Sequence, residues 1–143
     1  MNIKHFSYPG VAWRPSSGPA AERSIKLSFR HFQSHFGAEQ IKKYNLSNLI
    51  YDFSNEIDIN ENAFEDTISI LNNIKLLITT DTALAHLAGT MGIQTYLLLS
   101  YNPEWRWFIE IQKKCFYPEV KIIQQKVNGS WNDVFKELEE ILV

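Results

Sequence analysis

Leu76-Leu77-Ile78-Thr79-Thr80-Asp81-Thr82-Ala83-Leu84-Ala85-His86-Leu87-Ala88-Gly89 is the stretch on which the reading of this chain turns. Leu76 to Thr79 is a continuous apolar run of the kind found in strands buried on both faces. Thr80-Asp81 is a polar turn. Asp81-Thr82 opens a helix whose stripe is Leu84, Leu87, Ala88 and Met91, closed by Gly92. Strand, turn and helix in immediate succession are the elementary unit of a parallel sheet.

Working outward, Thr95 to Leu99 reads as the next buried strand. On the other side, Ala63, Phe64, Thr67, Ile68 and Leu71 form a helical stripe that stops at Asn72-Asn73. Val11-Ala12-Trp13 reads as a strand. It runs into Arg14-Pro15-Ser16-Ser17-Gly18-Pro19, where two prolines and a glycine require a loop. Leu27, Phe29, Phe32 and Phe36 fit neither period cleanly. Ala38 to Tyr44 suits a short helix, Leu49 to Tyr51 a strand, and Asp52 to Asn62 a polar loop. Trp131 to Leu142 is a tail helix with Trp131, Val134, Phe135, Leu138, Ile141 and Leu142 on one face. The expectation is an α/β fold, a Rossmann-like doubly wound parallel sheet, formed by residues 1–143 as a single domain.

Composition agrees. A chain of 143 residues is the size of one domain and hides roughly 70% of its unfolded surface. Hydrophobic residues are 45% and aromatics 13% of it, which excludes a disordered chain. A net charge of −2, from 14 basic and 16 acidic residues, leaves no electrostatic footprint for nucleic acid or anionic lipid. Cys115 is the only cysteine, so no internal disulfide forms, and a reducing, cytoplasmic setting is expected with Cys115 as a packed thiol. The N-terminus carries no apolar run after Lys4, and no stretch is long enough to be a transmembrane segment.

In such sheets ligands bind beyond the carboxyl ends of the strands. The start of the helix after Asp81 offers unpaired N–H groups and partial positive charge, both suited to phosphate. Thr80 and Thr82 add hydroxyls, and Ala83 is small enough to admit an anion to the backbone. Asp81 only accepts, so a sugar hydroxyl suits it better than a phosphate. His86, four positions after Thr82, comes round to the same face and can donate. The same residues also suit a plain structural role, with Asp81 or Thr80 an N-cap and His86 a surface residue. The loop from Arg14 to Arg23 faces this site if the first strand neighbours Leu76–Thr79. Ser16, Ser17 and Gly18 would then present donors and Arg23 would neutralise a diphosphate; otherwise it is a solvated surface loop. Trp105-Arg106-Trp107-Phe108 is a stacking platform, a domain-contact surface or a lid over the sheet. No dinucleotide, P-loop, nucleophile-elbow or zinc motif occurs. His31 and His35 are spaced i,i+4 without a third ligand nearby, so no metal site is expected.

Taken together, Gly10-Val11-Ala12-Trp13-Arg14, Glu22-Arg23-Ser24-Ile25, Asp81 to Gly92, Pro103-Glu104-Trp105-Arg106-Trp107-Phe108, Phe116-Tyr117-Pro118 and Trp131-Asn132-Asp133-Val134 resemble one family in order along the chain. It is the C-terminal, donor-binding domain of the ADP-heptose:lipopolysaccharide heptosyltransferases, GT-B enzymes, especially the tetratricopeptide-repeat-linked relatives. The resemblance implies that the helix start holds the diphosphate of a nucleotide-diphosphate sugar and that Asp81 meets the transferred sugar. It implies that Arg23 helps the diphosphate leave, that no cofactor or metal takes part, and that Asp81, Thr82 and His86 are ligands rather than a cap. Arg14, Ser17, Arg23, Thr80, Asp81, Thr82, Ala83 and His86 form the implied site, with Arg23 and Asp81 catalytic. Two departures go with it. The family's acceptor domain, with its catalytic base, has no counterpart here. The family's helix after the first loop has only Lys26 to Arg30 available, with Phe32 to Phe36 as the second strand that the resemblance implies. The expectation is a donor-binding domain that does not transfer sugar by itself: a fragment, a split subunit completed by a separate acceptor-domain chain, or a degenerate relative. The alternative is a non-catalytic interaction module that self-associates through exposed aromatics.

Overall fold

The computed structural model describes residues 11–15, 26–28, 41–45, 47–48, 57, 64–107 and 116–142. They fall into two compact units, Gly10–Ile78 and one built on Thr79–Val143.

In the first unit, β1 (Val11–Pro15) pairs antiparallel with β2 (Lys26–Ser28), Ala12 opposite Leu27. It also pairs antiparallel with β3 (Ile74–Thr80), Trp13 opposite Leu77 and Arg14 opposite Leu76. A parallel partner for β1 was expected; for β2 the connection explains the difference. Only residues 16–25 separate β1 from β2, fewer than the dozen or so that a crossover needs. Lys26–Ser28 is therefore a strand, where the family resemblance calls for a helix. Ile25, Leu27 and Phe29 alternate with period two, which is the strand signal. Helix α1 (Glu65–Leu71) buries Thr67 and Leu71, one turn apart, while Ile68 of the expected stripe stays exposed. Residues 41–43 are helical, within the expected Ala38–Tyr44 helix. The strands proposed at Phe32–Phe36 and Leu49–Tyr51, along with His31, His35 and Cys115, lie outside the described residues.

Strand β3 carries the chain into the second unit, which takes its last residues, Thr79 and Thr80. β3, β4 (Thr95–Leu99) and β5 (Val120–Gln124) form a small parallel three-stranded sheet with helices, an α/β arrangement. All five β4 residues are buried, as the unbroken apolar run predicts for a strand covered on both faces. β5 was not assigned from sequence, although its β-branched Val120, Ile122 and Ile123 fit a strand. Helix α2 (Ala83–Thr90) packs on β4, and α3 (Asn132–Leu142) packs on β5 through buried Val134 and Leu138.

The buried face of α2 is Ala85, Ala88 and Gly89; of the expected stripe Ala88 is buried, whereas Leu84, Leu87 and Met91 are only half-buried. Small residues let the helix backbone approach the sheet, where Ala85 joins Leu97, Leu99, Trp107 and Val120 in one core. The helix ends in a Schellman arrangement. Ile93 N–H bonds Ala88 C=O at 3.0 Å, and Gly92 N–H bonds Gly89 C=O at 3.2 Å. That geometry places Gly92 at φ +70°, where a Cβ is strained. Among the described residues no helix is long and apolar enough to cross a membrane.

Candidate functional site at the start of helix α2

The carboxyl end of β3 delivers Thr79 and Thr80 to the turn Asp81-Thr82, and α2 begins at Ala83. Thr82 is the N-cap, in extended geometry, but its side chain caps nothing. The Thr82 hydroxyl instead faces that of fully buried Thr79, the two oxygens 3.3 Å apart. Asp81 is equally diverted: Trp107 Nε1–H donates to Asp81 Oδ1 at 2.7 Å. The residues best able to cap the helix are thus both bonded elsewhere. No acidic residue stands in its first turn. Ala85 N–H is satisfied by Thr82 C=O at 3.0 Å, which leaves the Ala83 and Leu84 N–H groups as the open donors of the helix start. Ala83 itself is exposed.

Trp107 sits on a short 3-10 turn, Trp105–Trp107, and is itself buried. Its ring stacks on His86 at a centroid distance of 4.3 Å and an interplanar angle of 15°. Tyr117 closes the group from the loop before β5. Its hydroxyl lies 3.2 Å from His86 Nδ1, and its ring meets His86 edge-on. Beneath Tyr117 lies Gly89, where an added Cβ would come within 2.5 Å of the ring. Asp81, His86, Gly89, Trp107 and Tyr117 are one interlocked cluster, although 36 positions separate the first from the last.

The cluster revises several expectations. His86 does not stand open beside the helix start: one ring face is covered by Trp107 and Nδ1 is taken by Tyr117, which leaves Nε2 as the nitrogen a ligand could use. The Trp105–Phe108 segment supplies a buried wedge, Trp107, while Trp105 remains 76% exposed; Phe108 lies outside the described residues. Thr80, half-buried at the end of β3, keeps its place at the turn. Ser17 and Arg23 lie outside the described residues, and of Arg14 the backbone pairing alone is described. That pairing matters. Arg14 is opposite Leu76 and Pro15 opposite Ile74, so the chain leaves β1 toward the amino end of β3. The loop expected to face the helix start, residues 16–25, lies outside the described residues. Thr79 and Tyr117 were not singled out as site residues. Thr79 read only as strand, and Tyr117 reaches His86 from 31 positions away, a distance no local pattern spans.

Among the described residues no group of histidine, cysteine, aspartate or glutamate could hold a metal ion. Compared with family models, curated proteins and solved structures, the chain matches none.

Proposed function

We propose that the Thr79–Val143 unit is a donor-binding domain of the glycosyltransferase kind, taking the diphosphate of a nucleotide-activated sugar at the start of α2. One observation carries the reading: both natural caps, Asp81 and Thr82, are bonded away from a helix start that opens at the end of a buried parallel strand. Uncapped first-turn N–H groups with no acidic neighbour suit an anion. Asp81, with Oδ1 on Trp107, keeps Oδ2 for a sugar hydroxyl. The family resemblance points the same way for Thr80, Asp81, Thr82, Ala83 and His86. For Arg14, Ser17 and Arg23 it stands alone. On this reading the acceptor site and catalytic base come from another domain or chain, and the domain's contribution is to stabilise the departing diphosphate.

The test is calorimetric titration with ADP, UDP and GDP, backed by melting curves. A nucleotide held at about one hundred times its dissociation constant adds roughly 2.7 kcal/mol of stability. A second reading, a non-catalytic interaction module, has its own support in Trp105 and Phe116, which are 76% and 78% exposed. No shift with any nucleotide, together with concentration-dependent self-association, selects it.

A further inference from the structure

We infer that Trp107 is a latch that decides whether the start of α2 is open or closed, by holding Asp81 off the helix. Asp81 lies two residues before Ala83, the spacing at which an aspartate side chain accepts from a backbone N–H in an Asx turn. It makes no such bond. Its Oδ1 accepts from Trp107 Nε1 at 2.7 Å, and Trp107 is pinned in turn by stacking on His86 at 4.3 Å. His86 is held by Tyr117, whose ring rests over Gly89 of the same helix. The carboxylate therefore has two alternative sets of donors, the indole N–H and the Ala83 and Leu84 amides. The first set keeps the helix start free; the second fills it with the protein's own anion. Holding Asp81 to one side requires only the single indole N–H, so Trp107 is a positioning residue whose removal leaves the fold's core aromatic contact replaceable by phenylalanine.

The latch is tested without any ligand by comparing the parent chain with W107F, D81A and the double variant W107F/D81A, using amide exchange and indole resonances in NMR spectra. In W107F the ring still covers His86 while Asp81 loses its donor. Protection of the Ala83 and Leu84 amides should rise roughly fivefold, the usual strength of a side-chain cap. W107F/D81A should return it to the parent value. In D81A alone, the Trp107 indole N–H resonance should move while those of Trp13, Trp105 and Trp131 stay. Unchanged protection in W107F, or a rise that persists in W107F/D81A, overturns the inference. If W107F does not fold, an unmoved indole in D81A overturns it equally, and a moved one sustains it. The consequence for binding rests on the proposed donor site and is read separately with inorganic pyrophosphate: affinity falls in W107F and recovers in W107F/D81A. A parent chain that does not bind pyrophosphate counts against the donor-site reading, while the exchange data still decide the latch.

Discussion

A carboxylate just ahead of an extended N-cap is within reach of first-turn amides, yet Asp81 bonds the indole of Trp107 and Thr82 bonds Thr79. Single-residue changes around this arrangement have effects of opposite kind. Ala83→Glu puts a negative charge at the first helical position, which favours the helix dipole and sits in solvent. Its melting temperature should hold or rise slightly, within about 0.5 kcal/mol, while nucleotide binding is lost. Gly89→Ala does the reverse. Helix propensity alone would stabilise it by about 1 kcal/mol. The new Cβ, however, meets Tyr117 ring atoms at 2.5–2.9 Å, a clash of roughly 1–3 kcal/mol. Melting should fall, with the His86–Tyr117 contact loosened, and a thermal scan beside the parent checks it. The sequence showed Asp81, Thr82 and His86 as a polar group at a helix start. It could not show which partner each takes, because Trp107 and Tyr117 arrive from other elements.

At the scale of elements, legibility followed the length and purity of the apolar runs. β3 and β4 stood out because Leu76–Ile78 and Tyr96–Leu99 are unbroken, and α3 because its stripe repeats over three turns. β2 and β5 are short, and three to five residues carry too few periods to separate strand from helix. The face of α2 was misjudged for a different reason. Hydrophobicity selects Leu84 and Leu87, but close approach to the sheet adds Ala85 and Gly89 to the expected Ala88. The end of α2 is sharper. Among the described residues nothing lies within 4 Å of a Cβ added at Gly92, so its φ of +70° sets the constraint. Gly92→Ala should cost roughly 1–2 kcal/mol of stability through backbone strain alone, measured by denaturant unfolding with the slope unchanged. In β4, Leu97→Ala removes a side chain with no exposure and should cost about 2–5 kcal/mol, visible in the same experiment.

For the whole molecule, the α/β class was legible from the strand–turn–helix succession, and a parallel three-stranded sheet with helices carries it. The antiparallel pairing of β1 was not, since the apolar pattern of a strand does not fix its direction. At the start of α2 both candidate caps, Asp81 and Thr82, are bonded elsewhere, while the basic loop rests on the resemblance alone. The central claim is therefore best tested at the helix itself, by titrating the protein with ADP, UDP and GDP while following backbone amide resonances. The account predicts saturable shifts centred on Ala83 and Leu84, with Asp81 and Thr82 moving alongside, for at least one nucleotide. Saturable binding that leaves those amides unmoved, or no binding by any of the three, would contradict it.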